Sequence, residues 1–270
     1  MLLYAVTIFT SAFLLFLVQP VIAKQILPWF GGSATVWTTC LVFFQTTLLL
    51  GYAYADWTVR RLAPRNALVL HAALLVASIA LLPIVPAAFW KPGGAENPSW
   101  LILGMLTATI GLPYFLLSTT SPLVQVWFAR RFPGRNPYRL FALSNFASLL
   151  GLLGYPFLLE PWIATRMQAW GWSAGYALFV GLAAAAAFAS LAKTRVRLEF
   201  PAGTPAGPAA TGSLASDPRV PPAEAERPPT TARQVLWCAL AATASVLLLA
   251  VSNHITQNVA SVPLLWIAPL

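Results

Sequence analysis

The sequence predicts an all-α polytopic membrane protein, and three observations carry that expectation. Of its 270 residues, 59% are hydrophobic and only 9% charged, where soluble domains carry about 25% charged residues. Apolar runs of crossing length recur along the chain. A bilayer core of about 30 Å needs roughly 20 such residues in a helix, and in a run of that length the helix is what satisfies the backbone within lipid. The basic residues, finally, crowd into alternate loops between the runs.

Apolar runs at about 2–28, 34–57, 66–89, 99–127, 138–159 and 172–192 read as six spans, and a seventh follows at about 234–252. Residues 1–192 thus form a six-span bundle, 193–232 a linker, and 233–270 the seventh span with the start of an eighth. No basic stretch precedes the first run, so an uncleaved first span is expected rather than a removable signal peptide. Pro20, Pro113 and Pro122 fall inside spans, where neighbouring helices can satisfy the backbone groups they free.

Orientation follows from the basic loops. Arg60, Arg61 and Arg65 separate spans two and three; Arg130, Arg131, Arg135 and Arg139 separate four and five; Lys193, Arg195, Arg197, Arg219, Arg227 and Arg233 separate six and seven. Those 13 of the 16 Lys and Arg lie on one side, against Lys24, Lys91 and Arg166 on the other. The basic side of this multi-pass protein is expected to be cytoplasmic, with the N-terminus there too. The same distribution explains the net charge of +9 without a nucleic-acid partner.

The segment from about 198 to 232 is rich in Pro, Ala, Gly and Thr. It has too few large apolar side chains to fold alone and reads as a disordered linker. From Pro263 to Leu270 the residues resemble the opening of an eighth span, yet eight residues rise only about 12 Å in a helix. A fragment of a longer chain is therefore expected.

Polar residues at membrane depth are costly unless they face protein or water, which makes them candidates for function. The hairpin from Gln19 to Arg61 holds several: Gln19 and Lys24 in span one, and Gln45, Tyr52 and Asp56 in span two, with Thr38 on the same face. In span four, Gly104, Thr107, Gly111, Tyr114, Ser118, Ser121 and Gln125 step by three or four, which places them on one helix face. Span five offers Ser144, Ser148, Gly151 and Tyr155, with Asn145 beside them. Such faces serve either close helix packing or the lining of a central cavity. Lys24 either snorkels to the interface or pairs with Glu160 near the end of span five. His254 and Asn258, four apart at the end of span seven, share a face if the helix continues. Trp29, Trp37, Trp90, Trp100, Trp162, Trp170 and Trp172 collect near the non-basic span ends, as an interfacial aromatic belt would.

Catalytic chemistry has no foothold in the sequence. Nucleotide-binding glycine motifs, a nucleophile elbow and His/Cys ligand spacing are all missing. Cys40 and Cys238, the only cysteines, both lie in apolar runs, which suits neither a disulfide framework nor a thiolate metal site. No catalytic, cofactor-binding or metal-binding residue is expected.

The stretch LFLVQPVIAKQILPWFGGSATVWTTCLVFFQTTLLLGYAYAD, followed by TTSPLVQVWFARR, NPYRLFALSNFASLLGLLGYPFLLEP and NHITQNVASVPLLWIAPL, resembles the membrane part of bacterial spermidine-synthase-like fusion proteins. In that family a major-facilitator-like helical domain joins an aminopropyltransferase-like domain. The resemblance implies a major-facilitator-like bundle, a cytoplasmic aminopropyltransferase-like domain or partner, and a small polar solute such as a polyamine. Asp56, Arg60 and Arg61 match the acidic and basic positions of the G-x-x-x-D-R-x-G-R-[RK] loop of major-facilitator transporters, where that loop latches helix ends. Tyr52, Trp57 and Val59 depart from it. Two functions follow as expectations: binding or passage of a small polar solute, or a non-transporting anchor for a cytoplasmic domain.

Overall fold

The computed structural model describes residues 1–94, 96–132, 138–196 and 230–258. Most of the expected linker and the expected eighth span lie outside them. The described residues are helical, without strands: α1 (Leu2–Phe30), α2 (Ala34–Arg61), α3 (Pro64–Ile79), α4 (Pro98–Leu106), α5 (Leu112–Arg131), α6 (Tyr138–Gly154), α7 (Thr165–Val196) and α8 (Thr231–Asn258). α4 and α5 form one continuous span through a π turn at Thr107–Gly111, and α6 ends in a second π turn at Tyr155–Leu159. Six helices are long and apolar enough to cross a membrane.

Local chemistry sets the helix ends. Gly31 at φ 72° turns the chain out of α1, a left-handed conformation that costs glycine little. Two residues on, the Ser33 side chain accepts a hydrogen bond from the Val36 amide at 3.4 Å and caps α2. Asn97 caps α4 by accepting from Ser99 N at 3.0 Å. Pro64 and Pro98 each open their helix, where the missing N–H has no intrahelical partner to lose.

The third span is shorter than the sequence reading allowed. Instead of running to residue 89, α3 stops at Ile79 and the chain continues irregularly to a single short turn at Ala88–Trp90. Pro83 and Pro86 explain it: each removes a backbone donor and keeps its predecessor out of helical geometry. At 16 residues α3 is the one short apolar helix of the described set.

α1 is the hub. It packs against α5, α6 and α7, while α2 packs against α5 and α4, and α3 against α7 and α5. Two glycines let helices close in. A Cβ on Gly151 of α6 would meet the Phe13 carbonyl oxygen of α1 at 2.8 Å, and one on Gly51 of α2 would collide with the Ser118 hydroxyl of α5. α8 touches the bundle chiefly through α2 and is otherwise exposed.

The core is apolar with a few buried hydroxyls, and the exterior is apolar as well. Thr7, Ser11, Ser118, Thr119 and Thr120 are buried, whereas Leu49, Val69, Phe146, Leu149 and Phe157 are exposed. Buried hydroxyls here donate to backbone carbonyls, as Ser11 does to Leu117 O at 3.1 Å and Thr119 to Leu116 O at 2.7 Å. An apolar exterior of this extent fits a lipid bilayer and would be a liability in water.

The helix ends sort into two levels. Tyr4 of α1 meets Phe128 and Phe132 edge-on and shares a small core with Leu140 and Ala186. Arg130 lies beside Thr58 and Pro64. The start of α1, the ends of α2 and α5 and the start of α6 thus meet at one basic end.

The expected aromatic belt at the opposite end is only partly an exterior feature. Trp100, Trp162 and Trp170 are exposed, but Trp37 and Trp172 are core residues, 1% and 3% exposed. Their indole N–H groups donate to backbone carbonyls, Trp37 to Gly32 O in the α1–α2 turn at 3.1 Å and Trp172 to Leu14 O of α1 at 2.9 Å. Satisfying the indole within the protein removes the reason for it to stay at the headgroup level.

Candidate functional site

α1, α2, α5 and α6 surround a cavity of about 280 Å³. Its polar lining comes from all four helices: Ser11 from α1, Tyr52 from α2, Ser118 and Ser121 from α5, and Ser144, Asn145 and Ser148 from α6. Ile8, Leu15, Phe16, Leu117 and Phe141 supply apolar wall. Ser118 is buried, Ser121, Ser144 and Ser148 are half-buried, and Tyr52 and Asn145 sit exposed at the rim.

Several lining hydroxyls are already engaged. Ser118 donates to Phe115 O at 2.6 Å and Ser148 to Ser144 O at 2.9 Å. Ser121 Oγ accepts from Gln125 Nε2 at 3.2 Å. Bonding back to the preceding turn costs a membrane helix nothing in unmet donors and leaves each oxygen able to accept again.

The remaining polar side chains of the spans are distributed around this cavity rather than inside it. Gln19 Nε2 donates to the Tyr114 hydroxyl at 3.3 Å in the α1–α5 interface, where Tyr114 packs on Phe44 with ring centroids 5.1 Å apart. Gln45 is half-buried on α2. Lys24 Nζ meets Glu160 Oε1 at 3.2 Å, joining α1 to the end of the α6 span. The wide turn assists: Glu160 N donates to Tyr155 O at 2.8 Å, five residues back. His254 is exposed on α8 and lies 3.1 Å from Asn258 Nδ2 through Nδ1.

Two expected groupings dissolve. The face read along span four does not hold together, because the π turn at Thr107–Gly111 inserts a residue, and one residue turns a helix by about 100°. Thr107 is exposed and bonds to Leu103 O, Gly104 lies under the Trp90 ring, and only the part after the turn reaches the cavity. The span-two face divides as well. Thr38 borders a separate groove of about 680 Å³ between α2, α4 and α8, whereas Tyr52 borders the cavity.

Among the described residues Asp56, Arg60 and Arg61 form no latch between helices. Asp56 Oδ1 accepts from Arg60 Nε at 2.6 Å within the same helix, both side chains exposed, and Arg61 is exposed too. The pair spans one turn of α2 and ties no second helix.

Ser11 is the cavity residue the sequence reading missed. Thr7, Ser11 and Gln19 are spaced by multiples of four in α1, a stripe that would have singled it out. Among the described residues no group of His, Cys, Asp and Glu could hold a metal ion.

Compared with protein-family models, with curated proteins and with solved structures, the chain finds no match in any of the three. Its class therefore rests on fold and site: an all-helical protein with six helices long and apolar enough to cross a membrane, an apolar exterior, and a polar-lined cavity between four helices.

Proposed function

We propose that the chain is an integral membrane module of transporter type, in which the cavity between α1, α2, α5 and α6 binds a small polar solute during passage through the bilayer. The observation that carries this reading is the 280 Å³ space with hydroxyl and amide lining, set in a bundle whose exterior is apolar. Packing alone needs small residues but leaves no such volume. The resemblance to the major-facilitator-like part of spermidine-synthase-like fusion proteins supports the same reading. It adds a cytoplasmic aminopropyltransferase-like domain as partner and names a polyamine as one such solute. The basic loops favour an N-terminus in the cytoplasm, and the resemblance to bacterial proteins favours a bacterial inner membrane.

A non-transporting anchor is the second reading, and α8 favours it. This helix is apolar, 28 residues long and buried over only 6% of its most apolar window, as a helix waiting for a partner would be. Cysteine accessibility separates the two. With Cys40 and Cys238 replaced by serine, Ser144→Cys in native membranes is expected to react with a water-soluble thiol reagent. Protection of Ser144→Cys, alongside reaction of an exposed loop control at Glu96→Cys, would favour the anchor.

A further inference from the structure

We infer that the cavity selects an uncharged, hydroxyl- or amide-bearing solute of about monosaccharide size and rejects organic cations and anions. This rests on reading the cavity as a solute site, and it sets a neutral solute in place of the polyamine. Charge is the first ground. Among the described residues the carboxylates are Asp56, Glu96 and Glu160, and none lines the cavity. Asp56 is held by Arg60 at 2.6 Å, Glu160 by Lys24 at 3.2 Å, and Glu96 accepts from the Gly93 amide at 2.9 Å in the loop before α4. A protonated amine entering the cavity would leave water without a counter-charge, a cost that a buried ion does not recover from neutral hydroxyls. Among the described residues no Lys, Arg or His lines it either, so a carboxylate or phosphate fares no better.

Hydrogen-bonding capacity is the second ground. Ser11, Ser118 and Ser148 spend their protons on backbone carbonyls and offer oxygen lone pairs. Ser121 accepts from Gln125 and keeps its proton to donate. The Tyr52 hydroxyl and the Asn145 amide can both give and take. A lining that mixes donors and acceptors without net charge matches groups that do both themselves, which means hydroxyls and amides.

Size and wall complete the case. At about 30 Å³ per water, 280 Å³ equals roughly nine waters, room for a polyol or a single sugar ring. Phe16, Phe141 and Tyr52 present aromatic surface to the C–H edges such a ring carries, in the usual division between apolar walls and few orienting polar groups.

The test uses the full chain purified in detergent and assayed by equilibrium binding of three labelled probes: a hexose or hexitol panel, putrescine, and glutamate. Binding of a neutral probe, weakened at least tenfold by Ser144→Leu and by Phe141→Trp at the exposed rim, is the expected result. Asn145→Asp is expected to weaken it and to introduce putrescine binding. Using two blocking variants guards against misfolding, and both must elute as the unaltered protein does. Putrescine or glutamate binding that Ser144→Leu removes would overturn the solute class and leave the cavity reading standing. Absence of any probe binding sensitive to these variants would overturn both.

Discussion

Two ion pairs sit at opposite ends of the bundle, built from similar chemistry and doing different things. Asp56 and Arg60 meet at 2.6 Å across one turn of α2, 59% and 74% exposed. Lys24 and Glu160 meet at the longer distance of 3.2 Å, but they lie 136 positions apart in the chain and are 32% and 43% exposed. The shorter pair is the weaker one. An exposed i,i+4 pair is screened and adds only a few tenths of a kcal/mol. The longer pair fastens the end of the α6 span to α1, and neither partner can be removed without leaving the other half-buried and uncompensated. Distance between charges says less about their worth than what they connect.

Four variants would break or sharpen that contrast. The largest effect belongs to the α1–α6 contact that the Lys24–Glu160 pair also closes, where Gly151 abuts Phe13 O. Gly151→Leu should force α6 off α1 and cost about 3 kcal/mol, seen as a lower Tm in detergent and a smaller monodisperse fraction. Lys24→Met should cost about 1–2 kcal/mol, less than a fully buried pair because both side chains keep some solvent contact. The reversed pair, Lys24→Glu with Glu160→Lys, should recover most of it in a double-mutant cycle; if the reversal recovers nothing, the pair is incidental. Asp56→Asn should change stability by no more than about 0.5 kcal/mol, with even that vanishing in high salt. A loss at Asp56 as large as at Lys24 would restore the latch that the geometry lacks.

Much of the fold was open to reading from hydrophobicity, because runs of crossing length leave a helix little alternative. The first, second, fourth and fifth spans begin and end within a few residues of where the apolar runs do. The third failed through an overlooked signal, two prolines within four residues at Pro83 and Pro86. The failure in span four has a different origin. Nothing about Thr107–Gly111 demands a π turn, and its effect on register reaches every residue beyond it. Trp37 and Trp172 show a third limit: composition places an indole near a span end, but only tertiary structure says whether a carbonyl waits for its N–H. Within the cavity, Ser118, Ser121, Ser144 and Ser148 were legible from spacing and Asn145 from its place beside them, whereas Ser11 sits in a run otherwise so apolar that only its distance from Thr7 and Gln19 marks it.

The glycine at position 51 is where α2 comes close to α5. Because it has no side chain, α2 touches Ser118 of α5 there at backbone range, so any rocking of α2 would turn about that contact. Tyr52 is the next residue and would hardly shift if α2 rocked about it. Thr38, thirteen residues away, lies about 20 Å along the helix, so a tilt of about 10° would carry it roughly 3.5 Å. A lever with so short an inner arm would leave the cavity rim nearly still while opening or closing the groove against α4 and α8.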